Sequence, residues 1–365
     1  MVPRHANGGT DVMSRRDRSS SMHRSPKEPM TTHAQPRPTH ASSGTPDPVV
    51  LALALEAPPL PDEAMQRPSF AAQAGSLIAI TVPFLGLIAA IVLAWQTPFS
   101  WLNLALFFGG YLLTTLAITA GYHRLFTHKS YKAAPAVSVV LGVIGSMAVQ
   151  GSILNWVATH RRHHQHTDRP DDPHSPHAFG AGLWGSLRGM VHSHFGWFFA
   201  KTPPREIMDK YVPDLLADRF IPRVSRWFGL WAILGQLIPA AIGFAVTGTW
   251  MGALMAWIWG GLLRVFFVHH VTWSVNSVCH LWGSRPFESH DESRNNAVMG
   301  VLAMGEGWHN THHAFPASAR HGLSRRELDV TYWFIRLLAA VGLASDIKLP
   351  PRARIEAKRR RARAA

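Results

Sequence analysis

The sequence predicts an all-α integral membrane protein, with four transmembrane helices in two hairpins and a cytoplasmic helical cap. Three observations carry this: long charge-free apolar runs, their pairing across short connections, and a one-sided distribution of lysine and arginine. Of 365 residues only 16% are charged, below the roughly 25% of an average soluble domain. Residues 76–95 form twenty positions without a charge and residues 101–122 form twenty-two. Each run matches the roughly 20 residues that cross about 30 Å of hydrocarbon. Only residues 96–100 separate them, which makes the first hairpin. Residues 227–247 and 250–268, joined by Gly248-Thr249, make the second. Arg264 falls near the end of its run, where it is expected to snorkel to the surface. The tryptophans at the run ends suit the interfacial belt.

The orientation follows from charge. Of the 36 Lys and Arg, neither hairpin turn holds one, whereas residues 123–226 hold thirteen, 271–365 hold fourteen and the N-terminal part holds eight. The positive-inside rule then places both termini and the central loop in the cytoplasm. The net charge of +14 is accounted for by this bias, and no nucleic acid is needed to explain it. Residues 1–70 carry eleven of the 26 prolines with many Ser, Thr and Arg; such a stretch cannot offset its ordering entropy by burial, so it reads as a disordered arm. No cleavable targeting segment is recognised in it, since no apolar stretch follows Ser14-Arg15-Arg16. Residues 71–345 read as the membrane domain and 346–365 as a basic C-terminal tail, solvated or facing lipid. The lone Cys279 excludes a disulfide framework, a cysteine zinc cluster and a ligated iron–sulfur centre and reads as a small buried filler. One segment stays open at this point: residues 133–159 are also free of charge and long enough to span.

The chemistry lies in histidine. Of 22 His, eight fall in three boxes: His123-x-x-x-x-His128, His160-x-x-His163-His164, and His309-x-x-His312-His313. On a helix, positions i, i+3 and i+4 share a face, so the second and third boxes can each aim three imidazoles at one point. Neutral imidazole suits zinc, copper, iron or nickel, and eight exceed one ion's coordination shell, so two metals are implied. The cap is therefore expected to hold a His-rich di-metal site. Glu306-x-x-His309 is the one Glu-x-x-His in the boxes, unlike the paired motifs of carboxylate di-iron bundles.

These boxes resemble those of the integral-membrane fatty acyl desaturases, and among them the stearoyl-CoA (acyl-CoA delta-9) desaturase branch. The resemblance rests on the spacing of the first box, on Gly305-Glu306-Gly307-Trp308-His309-Asn310-Thr311-His312-His313, and on Thr272-Trp273-Ser274-Val275-Asn276-Ser277-Val278-Cys279-His280. It runs from about residue 75 to 340, and Phe315-Pro316 followed by Ala319-Arg320-His321-Gly322 resembles the bacterial members, which implies a bacterial cell membrane. It implies two iron ions (Fe2+) held by His123, His128, His160, His163, His164, His280, His309, His312 and His313, with Asn276 acting through water. It also implies molecular oxygen as co-substrate and a cis double bond, at carbon 9 in that branch, placed in a saturated long-chain acyl-CoA. Beyond the metal ligands no catalytic residue is implied.

If ligands from all three boxes meet, residues 133–159 cannot be one full crossing, and an interfacial or re-entrant helix is expected instead. Positions matching Gln150, Trp156 and Thr272 line the bend of the acyl tunnel in the family. The Arg-Asp pair that precedes the second box in animal members is replaced by Ala158-Thr159, which bears on the acyl carrier. Acyl-CoA remains the expectation because Arg161, Arg188 and Lys201 could meet a polyphosphate; acyl-carrier protein or an intact lipid is the alternative. Among the other histidines, His166, His174, His177, His192, His194, His269, His270, His290 and His321 are candidates for structural roles or for partners of metal ligands. A di-iron hydroxylase or ketolase of lipids or alkanes is the alternative activity. A metal transporter is disfavoured, since it would place ionisable residues within the spans. No Gly-rich dinucleotide fingerprint and no His-Pro-Gly-Gly of a fused cytochrome b5 domain occurs, so a separate electron donor, a reductase, ferredoxin or cytochrome b5-like protein, is expected as partner.

Overall fold

The computed structural model describes residues 60–364; the greater part of the expected N-terminal arm lies outside the described residues. Among the described residues, four helices are long and apolar enough to cross a membrane: α1 (Phe70–Ala94), α2 (Trp101–Thr127), α6 (Phe228–Thr247) and α7 (Trp250–Leu281). Between and beyond them lie β1 (Lys132–Ala133), α3 (Pro135–Ser146), α4 (Ile153–His166), α5 (Gly182–His194), α8 (His309–Ala314), α9 (Val330–Ala340), β2 (Ala344–Ser345) and α10 (Arg352–Ala364). Local chemistry sets the ends of the spans. Ser69, Ser100 and Thr249 cap α1, α2 and α7 by accepting from the backbone N–H three residues on, the preferred helix-entry chemistry. Gly248, left-handed at φ 66°, ends α6 as C-terminal glycines do. Pro83 and Pro239 lie inside α1 and α6, which membrane helices tolerate better than soluble ones.

Residues 96–100 join α1 to α2, and two residues join α6 to α7. A Cβ on Gly243 of α6 would come within 2.4 Å of the Ala256 Cβ on α7, so only glycine lets these two helices approach. Both α2 and α7 contain a π-helical stretch, Ala117–Thr127 and Ile258–Leu263 respectively. Wider turns of this kind recur near functional sites, and the first of them carries His123.

The structure corrects the expectation for Arg264. The last span does not end near residue 268 but continues to Leu281, which puts Arg264 within it at 2% exposure. Instead of snorkelling, its guanidinium donates to the carbonyls of Gly260, Met147 and Gly235 at 2.7, 3.0 and 3.1 Å, with Thr114 Oγ1 at 3.4 Å. The physical reason is that the C-terminal half of α7 is packed in protein, so its polar residues do not mark a membrane boundary.

Residues 133–159 are not one helix. α3 ends at Ser146, and the chain turns through Val149 at φ 60° and Gly151 at φ 96° before α4 begins at Ile153. This break returns the chain toward the first box, as meeting ligands require. The segment before α1 is held to the rest of the chain: Leu60 N–H donates to Asp171 Oδ2 at 2.8 Å, Gln66 bridges Thr202, and Asp62 pairs with Lys201. Near the C-terminus, β2 pairs antiparallel with β1. The ring of Phe287 in the loop after α7 and that of Phe315 after α8 lie under Arg359 and Lys358 of α10. The main core gathers Tyr122, Phe126, Ile153, Val157, Val224 and Val268 beneath the histidine boxes.

Candidate metal centre

The nine histidines singled out in the sequence gather into two groups. His123, His128, His160, His164 and His312 form one, and His163, His280, His309 and His313 form the other; within each, one ring nitrogen per residue lies within 4.8 Å of all the others. α2 delivers His123, with His128 just beyond its end; α4 delivers three residues on one face; α7 delivers His280; and α8 delivers the third box. α4 and α8 each split their box between the two groups, so the groups are neighbours that share two helices.

Buried carboxylates orient the rings. Nδ1 of His163 bonds Asp172 at 2.9 Å, that of His280 bonds Asp168 at 3.1 Å and that of His313 bonds Asp291 at 2.8 Å. Nδ1 of His123 lies 2.6 Å from Glu306 Oε2. Burial pushes these four carboxyls up, but the imidazoles facing them pull harder, and all four are held well below the usual carboxylate range. An ionised carboxylate only accepts, so each bonded Nδ1 donates and each Nε2 presents its lone pair to the group. This is the arrangement that fixes tautomer and orientation in metal-binding histidines.

The Nε2 atoms crowd together. In the first group His312 lies 3.1 Å from His123 and 2.9 Å from His164, which is 3.1 Å from His160. In the second, His309 lies 3.1 Å from His280 and from His313. One proton on His312 cannot serve both neighbours, and Nε2 of His128 and of His163 is buried with no partner at all. Burial, reinforced by the neighbouring imidazoles, holds His128, His160, His164, His309 and His312 well below their ordinary pKa. They are therefore neutral, the form that binds metal. A cation at the middle of each group would satisfy every lone pair at once, and nitrogen donors this close fit metal–nitrogen bonds of about 2.1 Å.

The remaining candidates line one cavity of about 690 Å³ that reaches the first group at His123 and His160 and the second at His309. Gln150, Trp156, Thr272 and Asn276 are all in its wall. Gln150 Nε2 donates to Thr272 Oγ1 at 2.8 Å, tying the α3–α4 turn to α7. Trp156 stacks on His160, centroids 5.0 Å apart and planes 25° from parallel.

Sequence reasoning had not found Asp168, Asp172, Asp291 or the bond role of Glu306. Asp172 stands two residues before His174 in the sequence, whereas nothing local marks Asp291. His321 is fully buried, its Nδ1 lying 3.1 Å from Glu306 Oε2. Arg124, also fully buried, binds Glu306 and Asp329 and fixes the carboxylate behind His123. His194 and His270 bond each other at 2.9 Å away from the groups, and Cys279 is buried. The three cations expected to meet a polyphosphate are engaged elsewhere. Arg161 binds Asp214 through two nitrogens and three backbone carbonyls, Arg188 lies over the Phe179 ring, and Lys201 pairs with Asp62. None of the three is in the cavity wall.

Comparison with known proteins agrees with this geometry. Residues 99–331 match the fatty acid desaturase family. The chain is 40% identical over 285 residues to a hex-5-enoyl-[acyl-carrier protein] acetylenase of Moorena producens, covering 78% of this chain and 88% of that one. It is 38% identical to an sn-2 palmitoyl-lipid 9-desaturase of Nostoc (74% and 90% covered) and 37% identical to an sn-1 stearoyl-lipid 9-desaturase of Synechocystis (69% and 74% covered). With the match spanning more than half of its length, the chain belongs to the fatty acid desaturase family.

Proposed function

We propose that the protein introduces a cis double bond, at carbon 9, into a saturated long-chain acyl group. The nine histidines would hold two iron ions, with Asn276 acting through water. The observation that carries this is that residues of both histidine groups line one cavity whose wall also contains Gln150, Trp156 and Thr272. Bound iron would supply activation of molecular oxygen. Two hydrogens leave adjacent methylenes, and with two electrons and two protons from a donor they reduce one oxygen molecule to two waters.

The chain's own share is placement. The bonded pair Gln150–Thr272 and the Trp156 ring stacked on His160 lie together in the cavity wall, which supports a bend in the acyl chain there that fixes which carbons face the metals. Trp273, Val275, Ile118 and Ala303 in the same wall keep water from that point. By charge bias the spans pair as two hairpins, with the histidine-bearing cap and both termini in the cytoplasm of a bacterial cell, where a separate electron-carrier protein docks. Acyl-CoA is one of several carriers compatible with the site, since the relatives named above include acyl-carrier-protein and lipid enzymes.

The test is expression in a host unable to make unsaturated fatty acids, with mass-spectrometric location of double bonds in its lipids. A new cis bond at carbon 9 is expected. Products that retain oxygen would instead identify a hydroxylase or ketolase.

A further inference from the structure

The cavity has one exposed rim. Of the residues that line it, Ala72, Gly75, Asn155, Arg226 and Gly229 are exposed, and the rest are half-buried or buried. The rim lies where α1 and α6 both begin, beside the exposed Phe70 and Trp227, aromatics of the kind that sit at headgroup level. It is open: a Cβ added to Gly75 or to Gly229 would meet nothing within 4 Å. Among the described residues, Arg226 is the only Lys or Arg in the lining. Its neighbours are occupied, Arg219 over the Phe220 ring and Arg223 on the Arg219 carbonyl. The Arg226 guanidinium makes no hydrogen bond or ion pair among the described residues, and neither does the side-chain amide of Asn155, whose neighbour Leu154 donates its N–H to Ser225 Oγ at 3.2 Å and so brings the two into one part of the wall.

An acyl chain threaded toward the metals leaves its carrier at this rim. We infer that Arg226, with Asn155, receives a phosphate of that carrier, so that the site takes acyl groups esterified to a phosphate-bearing carrier. A phosphoglyceride headgroup and a phosphopantetheine arm share this chemistry. Arg matches phosphate through two parallel N–H donors, and a free guanidinium at the polar end of two spans is where a lipid phosphate would stand. Snorkelling alone would explain an exposed arginine at this level, but not its place in the cavity wall near a second unpaired donor. The inference rests on the acyl reading of the cavity made above.

The test is equilibrium binding to the purified full chain in neutral detergent, with three radiolabelled probes: distearoylphosphatidylglycerol, stearoyl-CoA and methyl stearate. At least one phosphate-bearing probe should bind more tightly than methyl stearate, and which one identifies the source of the phosphate. Arg226→Gln should weaken that probe by about tenfold, the scale of a lost charge-assisted hydrogen bond, and leave methyl stearate unchanged. Arg226→Lys should recover most of the loss. Equal binding of all three probes by the native chain, or an equal effect of Arg226→Gln on all three, would overturn the inference. Failure of the desaturase reading is read separately, as bound stearoyl probe that gains no double bond in the iron-loaded, reduced protein.

Discussion

The Nε2 atom of His269 lies 3.0 Å from the carbonyl of Val149 and equally close to that of Ala148. Val149 has φ 60°, a conformation that a β-branched residue adopts only under constraint. Arg264 holds the adjacent Met147 carbonyl, and Gln150 bonds Thr272. Four consecutive residues, 147 to 150, are thus clamped to α7, and two of them, Val149 and Gln150, are in the cavity wall. His269→Ala should leave buried carbonyls unpaired, lowering stability by about 1–3 kcal/mol. It should also free the turn, so that products spread over neighbouring double-bond positions. Thermal unfolding in detergent and product location by mass spectrometry check the two effects. Val149→Gly relieves the backbone strain and keeps both carbonyls for His269, so it should not share that loss of stability.

The two histidine groups predict two separable losses of metal. His312→Ala removes a nitrogen from the centre of the first group and His163→Ala one from the second. Each should abolish turnover, and each should lower bound iron from about two per chain toward about one, because the other group keeps its own ligands. Metal analysis by mass spectrometry of protein from iron-replete cells measures this. Full metal and full turnover in either variant would remove the ligand assignment.

The carboxylates behind the rings give a graded version of the same test. Asp291→Asn keeps the size of the side chain but no longer presents an anion to His313 Nδ1, 2.8 Å away. Loss of such a partner typically costs 10–100-fold in metal affinity. Asp291→Asn should therefore load iron only at raised metal concentration and, once loaded, recover activity that His313→Ala does not. A chelator-competition titration distinguishes the two.

How much of this could be read in advance depended on sequence distance. The boxes were legible because the spacing i, i+3, i+4 is itself a statement about one helix face, and α4 and α8 both use it. The carboxylates were not legible: Asp168 meets His280 across 112 positions, and no local spacing connects them. The apolar runs announced four spans, but the end of α7 was misplaced. His269, His270 and Thr272 look like a membrane boundary until packing buries them in protein. The resemblance supplied His280, which no spacing rule isolates from the boxes. The Val149 turn left no pattern, since its strain is imposed by contacts with α7.

Asp214 predicts the acid limit of the cap. Its carboxylate bonds Arg161, at 2.6 and 3.0 Å, and lies 2.9 Å from Lys129 Nζ, while Arg161 also holds the carbonyls of Phe126 and Thr127 just before His128. Burial raises the Asp214 pKa, but the bonds and charge of Arg161, with Lys129, outweigh it and hold the group at about 2, below the ordinary 3.8. A carboxylate depressed on folding contributes stability that is complete above its unfolded pKa and is lost as pH falls through the folded value. The window is therefore about pH 4 down to about pH 2, and the contribution at neutral pH is roughly 2 kcal/mol. Asp214→Asn should lower the melting temperature at pH 7 and flatten the fall in stability between pH 4 and pH 2. Parallel melting curves for the two proteins across that range would refute the bridge if they kept a constant separation. If the bridge holds, the curves converge toward pH 2, where the native carboxylate is itself protonated.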